Sequence, residues 1–180
     1  MEYTHKVLDF HKENLSGDFR QAFRYWEALR GRRCCPAWRE VDMMTLPLRL
    51  VPWCSVVNVV DHGDDFVLRF FGTAHVRMQG RDYTGHSVRD VLSNRVVVKT
   101  FAELREVLRQ AQPVLHRTTV STTSDIGNRE ASYEVLRLPF CTEDEIDAIM
   151  TMVDYSAMAR LIYDWFEVDP PIELMRSDQA

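Results

Sequence analysis

The 180-residue sequence predicts an α+β domain built on one five-stranded antiparallel sheet with helices on one face. Three observations carry that expectation. Ser55 to Val60 and Phe66 to Phe71 are short, β-rich runs around the polar turn "DHGDD", which reads as a hairpin. Val97, Phe101, Leu104, Leu108 and Ala111 then recur on one helical face, and Pro113 closes that helix. After Pro113 the pattern returns to strands: Val114 to Thr123, Arg129 to Phe140 and Ile146 to Tyr155, separated by "SDIGN" and "CTEDE".

The first fifteen residues carry weak helical periodicity and read as a frayed helix or a mobile arm. Asp18 is placed to cap a helix, with Gln21 three residues on as in a capping box. Phe19, Ala22, Phe23, Trp26 and Leu29 form one apolar stripe along it, and Gly31 stops it. A stripe of that width must be buried, against its own domain or against a second copy. Pro36, Pro47 and Pro52 then exclude a long regular element, so "CCPAWREVDMMTLPLRLVPW" is a connector. After the hairpin comes "RFFGTAHVRMQGRDYTG". Ala74 to Gln79 has the length of one short helix, and Gly80 stops it as a C′ residue with positive φ. Gly85 serves the next turn, and Gly72 allows close approach of strand end and helix start. Ser87 caps a brief helix through Leu92. Ser156 caps a final helix carrying Met158, Leu161, Ile162, Trp165 and Phe166, ended by Pro170 and Pro171. The organisation is therefore an N-terminal helical extension and connector (1–53), a core (54–155) and a C-terminal helix and tail (156–180).

Composition narrows the function classes. At 46% hydrophobic and 27% charged residues, the chain has the balance of a soluble globular protein. No apolar run approaches the roughly 20 residues that span a bilayer. The N-terminus "MEYTHKVLDFHKENL" is charged where a signal peptide is apolar, which points to the cytoplasm. A formal net charge of −5 argues against nucleic-acid binding. The charge is uneven, however: Arg20 to Glu40 holds six arginines and two glutamates, while Glu143 to Asp169 holds eight acids and one arginine. Such ends attract each other or a charged partner, or stay solvated. Cys34, Cys35, Cys54 and Cys141 contain no C-x-x-C and read as reduced thiols, with a redox role for the adjacent pair left open.

Catalytic motifs are missing. The sequence has no G-x-x-x-x-G-K-[ST], no G-x-G-x-x-G and no G-x-S-x-G, and no His/Cys/Asp/Glu group has zinc spacing. The expectation is a non-enzyme without a metal.

The stretch "FRYWEALRGRRCCPAWREVD" followed by "FVLRFFGTAHVRMQGRDYTG" resembles a bacterial family of short stand-alone PAS proteins, with the likeness running from Phe19 to Tyr155. The shared features are a Tyr–Trp helix, an Arg-Gly-Arg stop, a proline and a "GT…GRD.TG" segment. The resemblance implies a sheet order of 2-1-5-4-3, with the long and short helices enclosing a cavity. It also implies a sensory module that signals through a homodimer or a protein partner. Phe19, Phe23, Trp26 and Leu29 would be the contact surface. Val97, Phe101 and Leu104 would line a ligand pocket from the helix, and Leu115, Tyr133 and Val135 from the sheet, with His75 beside them; the same residues also suit a filled core. Flavin-binding PAS relatives need a cysteine in an Asn-Cys-Arg-type loop, which Asn94-Arg95 lacks. Haem-binding relatives commonly use a histidine on the long helix, and Arg95 to Gln112 has none, leaving only His75 and His116. Both cofactors are therefore argued against. Two other readings stand beside the sensor: an enzyme or carrier of the cone-shaped α+β type, and a ligand-free adaptor. The helices interrupt the sheet after two strands, which favours the PAS arrangement over the cone.

Overall fold

A computed structural model describes residues 2–15, 17–91, 94–124, 127–143 and 145–154. The predicted C-terminal helix from Ser156 onward, with Met158, Leu161, Ile162, Trp165 and Phe166, lies outside the described residues. The strands are β1 (Glu2–Leu8), β2 (Cys54–Val60), β3 (Asp65–Phe71), β4 (Val114–Ser124), β5 (Gly127–Thr142) and β6 (Glu145–Asp154). The helices are α1 (Gly17–Arg30), α2 (Thr73–Gln79), α3 (Val88–Val91) and α4 (Asn94–Gln110).

The strands make one sheet in the order β1-β4-β5-β6-β2-β3, and every pairing is antiparallel. Read from the far edge, β3-β2-β6-β5-β4 is the expected order of the core. The sheet has six strands rather than five, because the N-terminal arm is a strand and not a helix. The reason is non-local. β4 is 11 residues long and would otherwise leave a row of unpaired backbone groups at the sheet edge. β1 pairs with it from Glu2↔Ser121 to Leu8↔Leu115.

The sheet has two covered faces. Along β5, Leu136 and Leu138 join Met150, Met152, Cys54 and Val56 in one apolar cluster. The residues that alternate with them, Val135 and Arg137, belong to the other face, as strand alternation requires. α1 covers the first face. Its Phe19, Ala22, Phe23 and Trp26 are buried, and Trp26 Nε1 donates to the Pro139 carbonyl at 2.7 Å. Leu29 is half-buried. The stripe expected to meet a partner thus closes on its own sheet, which corrects that expectation: Phe19 and Trp26 are only 0% and 1% exposed. α1 also starts at Gly17, ahead of the predicted cap, so Asp18 sits in its first turn and pairs with Arg49.

The connector follows α1 across this face in three short 3₁₀ turns, Trp38–Glu40, Met43–Thr45 and Val51–Trp53. It is fastened to the end of β5. Cys141 N donates to the Pro36 carbonyl at 2.9 Å, and Trp38 meets Phe140 edge-on at 5.3 Å between ring centroids. Cys35 and Cys141 form a disulfide across 106 residues of sequence, so the four thiols are not all reduced. Spacing could not show this, because the fold alone brings the two together.

α2, α3 and α4 cover the opposite face. Phe101, Leu104 and Val107 of α4 pack on Val57, Phe66, Leu68, Val114 and Ile149, with Phe66 and Phe101 edge-to-face at 5.1 Å. One glycine, Gly72, permits the tight passage from β3 into α2. A side chain at Gly72 would strike the carbonyl oxygens of Pro52 and Cys54, and its own N–H donates to Cys54 O at 2.8 Å. Gly80 ends α2 at φ 76°, in the left-handed region. Gly85 lies at φ 87° in the next turn. Among the described residues, no helix is long and apolar enough to cross a membrane.

Candidate functional site

The layer between α4 and the sheet is charged as well as apolar. Lys99 and Glu103 stand one helical turn apart on α4, beside its apolar stripe. Facing them on the sheet are His116 and Thr118 of β4, Arg137 of β5 and Thr151 of β6. Register puts these on one face: His116 pairs with Val135, Thr118 with Tyr133, and Arg137 with both Val114 and Thr151.

Glu103 is 3% exposed and Arg137 is 5% exposed, so both charges sit in a low-dielectric layer. The Arg137 guanidinium donates to Glu103 Oε2 through Nη2 and to Thr151 Oγ1 through Nη1, the latter at 2.6 Å. Lys99 Nζ donates to Thr118 Oγ1 at 2.8 Å and lies 3.6 Å from Glu103 Oε1. It also stands 5.6 Å from the centroid of the Tyr133 ring. Burial works to raise the Glu103 carboxyl, but the charges of Arg137, Lys99 and His116 outweigh it and hold the group below the usual carboxylate range. Glu103 is therefore ionised. Two fixed cations, Lys99 and Arg137, surround one carboxylate. Arg137 Nε, although buried, meets no hydrogen-bond acceptor among the described residues. Glu103 Oε1 is likewise buried without a hydrogen-bond donor among the described residues, and a buried polar group left unmet costs about 1–3 kcal/mol.

The residues picked from sequence divide around this layer. Phe101, Leu104 and Val135 are buried, while Val97 and Tyr133 are half-buried; all five lie on the α4 side. Leu115 does not. It packs with Leu136 and α1 on the opposite face, because strand alternation hands the α4 side to Val114 and His116. His75 is held elsewhere, by Nε2 donating to Trp53 O at 3.1 Å, by an edge contact to Trp53 and by stacking on Phe71 at 5.2 Å. Burial pushes its pKa down to about 4, against the smaller opposing effect of the Trp53 hydrogen bond. It is a neutral, structural histidine. Sequence reading missed Lys99, Glu103, Thr118, Arg137 and Thr151. One signal was available: Arg137 interrupts the apolar run "EVLRLPF", and a cation in a strand of that kind needs a buried partner.

A profile of the PAS domain matches residues 16–153. The chain belongs to the PAS domain family. Solved structures share the likeness at low identity. The LOV protein of Rhodobacter sphaeroides is 12% identical, with a TM-score of 0.39, covering 59% of this chain and 59% of that one. A domain of an HTR-like protein from Haloarcula marismortui is 11% identical, TM-score 0.36, covering 57% and 95%. An RNA-binding light-oxygen-voltage receptor is 10% identical, TM-score 0.43, covering 93% and 42%. The chain thus spans 59% of the Rhodobacter structure and 42% of the RNA-binding receptor. A search of curated proteins finds no match. The match to the PAS family takes in α1 and the connector, so in this PAS domain the outer-face helix lies within the matched region.

Proposed function

We propose that this PAS domain is a cytoplasmic, non-catalytic sensory module that takes a small anion into the layer beneath α4. The supporting observation is the buried Arg137 Nε–H without an acceptor, in a layer where two cations face one carboxylate. An incoming carboxylate or similar group would meet Arg137 and Lys99 and compete with Glu103 for them. α4 carries both Lys99 and Glu103, so that exchange would move the helix. The outer side of α4 presents Val98, which is 71% exposed, beside Lys99. Through that surface the change would pass to a protein partner or a second copy of the chain. The apolar stripe of α1 is already committed to its own sheet and is not the relay.

A ligand-free adaptor is the second reading, and one observation favours it: Glu103 already occupies Arg137 as an internal anion. Native mass spectrometry of the full chain, purified from its own host, separates the two. The sensor reading expects a retained acidic small molecule that is lost in Lys99→Met, a change at a partly solvated position. Repeated preparations showing only the polypeptide mass would leave the adaptor in its place.

A further inference from the structure

Cys34, Cys35 and Cys141 converge where the connector meets the end of β5. Cys35 and Cys141 are joined and buried, at 2% and 7% exposure. Cys34 is exposed, and its Sγ lies 3.6 Å from Cys141 Sγ and 3.7 Å from Cys35 Sγ. Disulfides exchange when a thiolate reaches one of the two sulfurs, so access decides which thiols can act. A thiol arriving from solvent meets Cys34 first, while the buried pair behind it is shielded. We propose that these cysteines form a thiol–disulfide exchange centre in which Cys34 connects the buried disulfide to low-molecular-weight thiols.

The first step is redox-neutral. Cys34, having lost its proton, attacks Cys141 Sγ; a Cys34–Cys141 bond forms, the Cys35–Cys141 bond breaks, and Cys35 leaves as a thiolate and takes a proton. Attack on Cys35 instead would join sequence neighbours, which is poor disulfide geometry. The disulfide now ends on an exposed sulfur. A small thiol attacks Cys34 Sγ, giving a mixed disulfide at Cys34 and releasing Cys141. A second small thiol attacks the sulfur of the bound small thiol, leaving as a small-molecule disulfide and returning Cys34 as a thiol. Two small thiols thus supply the two electrons and two protons that reduce the protein. The reverse sequence lets a small disulfide reoxidise it.

The mechanical consequence follows from the connector's fastenings. The disulfide sits beside the Cys141–Pro36 hydrogen bond and the Trp38–Phe140 contact. Shifting the bond to Cys34 moves the tether one residue toward α1, and reduction removes it. Cys54 is a built-in contrast: it is 0% exposed, and burial pushes its thiol up to about 12, so it stays unreactive in the folded chain.

The test uses the full chain purified in air without reductant. Reduced glutathione is added, aliquots are quenched with iodoacetamide, and peptides are mapped by mass spectrometry. The expected course is a glutathione adduct at Cys34, then loss of the Cys35–Cys141 cross-link, with Cys54 unlabelled throughout. Cys34→Ser, at an exposed position, should melt like wild type yet lose the cross-link at least about tenfold more slowly. Two results would overturn the proposal. One is a Cys34→Ser chain that is reduced at the wild-type rate. The other is air-purified protein with all three cysteines reduced and one equivalent of Zn²⁺ bound, which makes the cluster a metal site.

Discussion

The two faces of the sheet are held by different forces. Beneath α1 the contacts are apolar, and the indole N–H of Trp26 is met by a backbone carbonyl. Beneath α4 an apolar cluster is continued by charges: Lys99, Glu103 and Arg137 are threaded through hydroxyls on two strands. The first kind of face resists change, since any opening exposes aromatic area and leaves a buried donor unmet. The second rests on a buried Glu103–Arg137 pair, whose hold depends on both charges staying matched. A module that must both persist and respond gains from having one of each.

That contrast can be broken from either side. The largest effect belongs to the α1 face: Trp26→Ala should cost about 3–5 kcal/mol of stability in urea unfolding, through the cavity and the lost bond to Pro139. If Trp26→Ala instead weakens self-association while stability holds, α1 is an interface and its assignment to the core is wrong. The next effect is pH-dependent and centres on His75. Its folded pKa is depressed to about 4 from the ordinary 6.5, so the unfolded chain binds the proton more readily. Stability contributed by neutral His75 is therefore full above pH 6.5 and falls as the pH drops toward 4, by roughly 3 kcal/mol at most. His75→Phe should flatten that part of the stability–pH curve; an unchanged slope would assign the titration to another group. The smallest is local: Gly80→Val forces a β-branched residue into a left-handed backbone and should cost about 1–2 kcal/mol in thermal melts. A variant that melts like wild type would remove the conformational argument for that glycine.

The sequence made the architecture legible wherever the signal was local. The hairpin, the glycine-punctuated helices and α4 each follow from periodicity and from stops lying within a few residues. What stayed hidden depends on residues far apart. The N-terminal arm has no strand of its own to pair with until β4 presents an edge more than a hundred residues later. Leu115 was put on the wrong face because parity in a strand needs a register, and a one-residue slip exchanges the faces. The Cys35–Cys141 bond closes across 106 residues. The charged layer was half legible: Lys99 and Glu103 stand at i, i+4 beside an apolar stripe, and Arg137 lies inside an apolar run. Only the fold shows that they meet.

The contacts beneath α4 imply that charge coupling, rather than apolar burial alone, holds the helix to the sheet. A double-mutant cycle on Glu103→Gln and Arg137→Met, followed by urea denaturation, tests it most directly. Each single change strands a buried charge or donor and should cost about 3–5 kcal/mol, while the double variant should cost far less than their sum. Strictly additive losses would mean that the two groups do not act as a pair and that the layer beneath α4 is an ordinary core.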